Sequence, residues 1–125
     1  MQISAFRRKK HPLEFPNVGS VFQNLTHRED VAKVIKLFPS IKERVARDWH
    51  GKVPTAFLIE RAEIKGLSLG GAQVSPRHAN FIVNYKDSTA ADFTALMKLV
   101  QQIIRQRFDI TLRPEIEIVK QPRKT

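Results

Sequence analysis

The chain has 125 residues, with 22 Lys and Arg against 12 Asp and Glu, so its formal net charge is +10. A hydrophobic content of 42% with 27% charged residues is ordinary for a globular protein, and the length fits one domain with its own core. The absence of Cys excludes disulfides, a thiolate nucleophile and any Cys-ligated zinc or iron–sulfur centre.

No apolar run approaches the roughly 18 residues of a membrane span, and the basic start lacks the apolar stretch of a secretory signal. The expected compartment is cytoplasmic. The positive charge favours anionic partners: nucleic acid, acidic headgroups or a phosphorylated small molecule. Part of it is clustered in Arg7-Arg8-Lys9-Lys10 and in Arg123-Lys124, runs that are ordinarily solvated termini.

Residues 1–16 read as a basic N-terminal arm whose Pro12 and Pro16 favour extended backbone. Residues 17–120 read as the domain and 121–125 as a basic tail. Asn17-Val18-Gly19-Ser20-Val21-Phe22 predicts a turn leading into a short strand. Thr26-x-x-Glu29 is a capping-box pattern ahead of Val31, Val34, Ile35 and Phe38, and Ser40-x-x-Glu43 repeats it before Val45 and Trp49, with Gly51 as the stop. Pro54 suits a first helical position ahead of Phe57, Leu58, Ile59 and Ala62, with Gly66 ending that helix.

Leu67 to Val74 predicts a strand interrupted at Gly70-Gly71, and Asn80 to Tyr85 a second strand. Thr89-x-x-Asp92 caps the longest helix, with Phe93, Leu96, Met97, Val100, Ile103, Ile104 and Phe108 along one apolar face. Leu112 to Val119 closes as a strand whose Pro114 demands an edge or a strand start. The expected architecture is α+β: a two-layer domain with helices on one face of a small mixed sheet.

Few residues stand out chemically. His11, His27, His50 and His78 contain no i, i+4 pair for a helical metal site, so no metal is expected. Neither a Walker loop, a GxSxG elbow nor a dinucleotide fingerprint occurs. Gly70-Gly71 could cradle a phosphate, although a bend where backbones approach is the commoner use. Ser20 beside a turn glycine is ordinarily a local hydrogen-bonder. Glu115 in an apolar strand would need a partner if it pointed inward.

Four motifs occur in order: Asn17-Val18-Gly19-Ser20-Val21-Phe22-Gln23-Asn24, Leu69-Gly70-Gly71-Ala72-Gln73-Val74-Ser75, His78-Ala79-Asn80-Phe81-Ile82-Val83-Asn84 and Leu112-Arg113-Pro114-Glu115-Ile116. Leu58-Ile59-Glu60 through Ile64-Lys65-Gly66 precedes the second of them. Together they resemble the C-terminal domain of the UDP-N-acetylenolpyruvoylglucosamine reductase (MurB) family, flavoenzymes of peptidoglycan precursor synthesis. The resemblance covers residues 7–119.

The resemblance implies that the chain is the last part of a larger FAD- and NADPH-dependent enzyme, whose flavin-binding portion precedes this region. No FAD or NADPH is expected on this chain alone, which should be inactive. Met1 then starts either an expressed fragment or a split or truncated gene. The family's substrate is UDP-N-acetylglucosamine enolpyruvate, reduced to UDP-N-acetylmuramate for the cell wall, and hence for cell shape and division.

Ser20 matches the family's proton donor and Glu115 the carboxyl group that assists it. The rationale for Glu115 is a buried, protonated carboxyl that hydrogen-bonds the substrate carboxylate as charge develops. Asn24 matches a substrate-holding asparagine, and His78 falls where relatives place a substrate-contacting polar side chain. Arg8, Lys9 or Lys10 would meet the diphosphate. Gln23 and Leu25 depart from the usual Lys and Pro, Glu117 stands where a basic residue is common, and residues 26–53 look like an inserted helical pair.

Two alternatives stand beside this reading. One is a free-standing basic module binding nucleic acid or another polyanion. Tyr85, Trp49 and the eight Phe fall mostly at apolar-periodic positions, which gives no base-stacking platform. The other is a non-catalytic remnant that pairs with a separately encoded flavin domain.

Overall fold

The longest helix is where sequence and structure agree most closely, and it organises the rest. A computed structural model describes residues 20–115. In it, Ala90–Phe108 forms helix α4 (α1 to α3 precede it in the chain), opened by a complete capping box in which the Thr89 side chain accepts from the Asp92 N–H and the Asp92 carboxylate from the Thr89 N–H. Phe93, Leu96, Met97, Val100 and Ile104 are buried along one face, as a 3.6-residue period requires. Asp109 ends the helix in the left-handed conformation.

That face packs on a sheet of β1 (Ser68–Leu69), β2 (Ala72–Val74) and β3 (Ile82–Asn84), ordered β1-β2-β3. The register sets Leu69 opposite Ala72, and Val74 opposite Ile82. The α+β two-layer architecture is the one the sequence predicts. Both described pairings are antiparallel, because short turns return each strand beside its predecessor, and no parallel pairing occurs among the described residues.

The stretch read as one interrupted strand is a hairpin that turns at Gly70-Gly71. Gly70 has φ +60°, and a Cβ on Gly71 would fall on the Lys86 carbonyl oxygen and the Ser88 backbone. The turn does hold an anion, but an internal one: the Gly71 N–H donates to Asp92 Oδ2 at 3.1 Å. With the Gly71 and Thr89 N–H groups both donating to it, this carboxylate is held below the usual carboxylate range.

Among the described residues, the helices before the sheet are α1 (Arg28–Leu37), a 3₁₀ turn at Pro39–Ile41, α2 (Lys42–Arg47) and α3 (Thr55–Arg61). Neither of the two earlier capping boxes forms. The N-cap of α1 is His27, one residue past Thr26, because Leu25 and the chain behind it are still paired as a β-bridge with Val53. Ser40 lies inside the 3₁₀ turn that Pro39 starts, so α2 has Ile41 at its N-cap and no side-chain cap.

Pro54 is the N-cap of α3 rather than its first residue, with ψ at 132°. Gly51 and Gly66 lie past the helix ends, at φ +83° and +89°. Phe38, Trp49, Phe57 and Phe108 meet edge-on or tilted, with centroids 5.4 to 5.8 Å apart, and join the common core with Leu58, Ile59 and Phe22.

Candidate active site

Three separated stretches converge beside Ser20. Phe22 and Pro114 form an antiparallel bridge, closed on either side by the Gln23 N–H donating to the Arg113 carbonyl at 2.8 Å and the Glu115 N–H donating to the Val21 carbonyl at 2.7 Å. The Phe22–Pro114 pair is itself the non-hydrogen-bonded kind, so the N–H that Pro114 lacks is not needed by this ladder. The expected strand 112–119 is, among the described residues, only this bridge; Ile116 onward lies outside them.

On the other side stands the loop from Ser75 to Phe81. The Ser75 hydroxyl accepts the N–H groups of Arg77 and His78, each at 3.1 Å, and folds the loop back on itself. Asn80 is buried there and bonds to Val21 and Phe22, which keeps it out of β3, the strand it was expected to start.

Ser20 is half-buried, and its hydroxyl has no hydrogen-bond partner among the described residues. Glu115 is exposed. This corrects the expectation of a buried carboxyl: the bridge turns Phe22 into the core and leaves Glu115 at the open edge of the ribbon, with no ion pair among the described residues.

Asn24 is committed to the scaffold through one atom. Its Oδ1 accepts the Thr55 N–H at 3.1 Å and so caps α3 from outside, while the Thr55 hydroxyl donates to the Gln23 carbonyl at 2.6 Å. The His78 ring is exposed, tilted against Phe81 with centroids 5.5 Å apart. Arg8, Lys9 and Lys10, the arm 1–16, the turn Asn17–Gly19, Glu117 and the tail 121–125 lie outside the described residues.

Beside Asn24 a shallow depression is lined by Gln23, His27, Asp30, Thr111 and Arg113 among others. The Arg113 Nη1 lies 3.0 Å from His27 Nδ1. Sequence reasoning missed both Asn80 and this His27–Arg113 contact. For the first, an Asn at the head of the apolar run 81–83 reads in the sequence only as a strand boundary. The second joins residues distant in the chain, and spacing gives no hint of it.

The described residues contain no cluster of three His, Cys, Asp or Glu side chains fit for a metal, and no helix among them is long and apolar enough to cross a membrane. Among the described residues this is a small α+β domain in which the segment after Ser20 lies between Pro114-Glu115 and Asn80.

The family model for the UDP-N-acetylenolpyruvoylglucosamine reductase C-terminal domain matches residues 11–119. Among curated relatives, the UDP-N-acetylenolpyruvoylglucosamine reductase of Heliobacterium modesticaldum is 40% identical over 115 residues, 92% of this chain and 29% of the relative. Those of Exiguobacterium sibiricum and Enterococcus faecalis are 36% and 34% identical, over 90% and 94% of this chain and 29% and 31% of the relatives. The chain therefore belongs to the UDP-N-acetylenolpyruvoylglucosamine reductase C-terminal domain family, and it spans about three-tenths of the length of these relatives.

Proposed function

We propose that this chain is the substrate-binding, proton-donating domain of an FAD-dependent, NADPH-using reductase that converts UDP-N-acetylglucosamine enolpyruvate to UDP-N-acetylmuramate for peptidoglycan synthesis in the cytoplasm. The observation that carries the reading is the Glu115-to-Val21 hydrogen bond of 2.7 Å, which joins two motifs from opposite ends of the described chain right beside Ser20. Nothing local in the sequence requires that meeting. The domain spans residues 17–120, with the arm 1–16 and the tail 121–125 flanking it and residues 26–53 as its inserted helical part.

The flavin is assigned to segments outside this chain, which matches the family's C-terminal domain and spans about three-tenths of its relatives' length. When bound, the flavin supplies a hydride to the β-carbon of the enolpyruvyl group. The residues of this chain complete the reduction. Electron density displaced from the double bond collects on the α-carbon and the adjoining carboxylate, and the Ser20 hydroxyl delivers its proton to the α-carbon. A serine is a weak acid, so it donates only to a strongly basic carbon held against it. Glu115, enclosed once substrate covers it, hydrogen-bonds that carboxylate through its carboxyl group as the charge there grows.

Asn24, His78 and one of Arg8, Lys9 and Lys10 hold the nucleotide sugar. Asn24 has its Nδ2 to offer, because Oδ1 is occupied at Thr55. The test is turnover of the enolpyruvyl nucleotide sugar with NADPH by the flavin-loaded enzyme that carries this chain. UDP-N-acetylmuramate should accumulate, and Glu115→Gln should retain more of the rate than Glu115→Ala. Equal rates for the two variants would remove hydrogen bonding by Glu115 from the mechanism.

A further inference from the structure

We infer that Asn80 is a positioning residue for Ser20, an assignment that rests on the proton-donor reading above. The Asn80 carbonyl accepts the Val21 N–H at 2.9 Å. Its side chain brackets the next residue, with Oδ1 accepting the Phe22 N–H at 3.1 Å and Nδ2 donating to the Phe22 carbonyl at 2.9 Å. A primary amide has the donor and acceptor of a peptide group, so Asn80 serves as a one-residue strand on the side of Val21-Phe22 away from Pro114. With Glu115 donating to the Val21 carbonyl, both N–H and both C=O groups of Val21 and Phe22 are satisfied.

The side chains of Val21 and Phe22 are buried at 2% and 1% exposure, and Asn80 itself at 6%. Ser20 therefore leaves a fixed anchor, while its own hydroxyl has no hydrogen-bond partner among the described residues. The aim comes from the backbone, and Asn80 supplies three of the four bonds that hold it.

The test uses the flavin-loaded enzyme carrying this chain, with each half-reaction followed by rapid mixing and a thermal midpoint recorded for every variant. Asn80→Ala should slow substrate reduction about 10²-fold, the usual penalty for a reacting group displaced by about 1 Å. Flavin reduction by NADPH should not change, and the loss should fall on kcat rather than KM. Asn80→Asp supplies a second variant if the alanine does not fold. At neutral pH its carboxylate sets an oxygen against the Phe22 carbonyl; in acid, the neutral carboxyl restores donor and acceptor together.

Its rate of substrate reduction, divided by the wild-type rate, should therefore rise as pH falls. Taking that ratio removes titrations common to both proteins. Wild-type rates for Asn80→Ala, or a flat ratio for Asn80→Asp, beside a slow Ser20→Ala, would overturn the positioning role alone. A Ser20→Ala enzyme with full activity would instead overturn the proton-donor reading and this inference with it.

Discussion

The carboxylate of Asp92 accepts the N–H of Gly71 at 3.1 Å, which ties the first turn of α4 to the β1–β2 turn. The same Oδ2 accepts the Thr89 N–H at 3.2 Å, so a single oxygen holds helix start and hairpin in one arrangement. Its place beside Gly70 and Gly71 adds a polar tie to the apolar packing of helix on sheet.

A pH dependence follows from that clamp. The two N–H donors hold the Asp92 carboxyl below its ordinary value of 3.8 in the folded chain. Its stabilising contribution is complete above the unfolded-state value and is lost as pH falls through the lowered folded one. Urea unfolding of the wild type and Asp92→Ala at several pH values should show a gap in midpoint near neutrality that closes in acid. A gap independent of pH would mean that the carboxylate charge does not matter.

Gly71 is expected to tolerate no side chain. Gly71→Ala would drive a Cβ onto the Lys86 carbonyl and the Ser88 backbone, where no flexible side chain can yield, and should destabilise by about 1–3 kcal/mol. Gly66→Ala meets open space and suffers only from its φ of +89°, so its penalty should be the smaller. Denaturant midpoints of the two variants check the order.

On the proposed reading Asn24 both caps α3 and holds substrate, and substitution separates the two roles. Asn24→Asp keeps an oxygen for the Thr55 N–H and should leave stability near wild type, whereas Asn24→Ala should lose about 1 kcal/mol with the cap. Both remove the Nδ2 donor, so both should raise KM for the anionic nucleotide sugar, the aspartate more so. A normal KM in both would confine Asn24 to the scaffold.

What the sequence made legible was what local chemistry controls. The Thr89–Asp92 box and the stripe from Phe93 to Ile104 depend on neighbours three or four residues apart, and both formed as expected. The boxes at Thr26 and Ser40 have the same local signature but were overridden from a distance, by the pairing of Leu25 with Val53 and by the turn at Pro39. The candidate site was legible only as motifs. That Glu115 stands exposed follows from the facing of Phe22 and Pro114, residues remote in sequence. The clamp by Asn80 was hidden because a polar residue at the head of an apolar strand reads as a boundary.

On the proposed reading, Ser20 donates a proton in the second half-reaction and takes no part in the first. Stopped-flow measurement of both steps in the flavin-loaded enzyme carrying Ser20→Ala tests it directly. Flavin reduction by NADPH should proceed at the wild-type rate, while reduction of the enolpyruvyl substrate should slow by about 10²- to 10⁴-fold, the contribution of a positioned general acid. Ser20→Cys, which keeps a donor, should fall between. Equal slowing of the two steps, or an alanine variant as fast as wild type in both, would contradict the account.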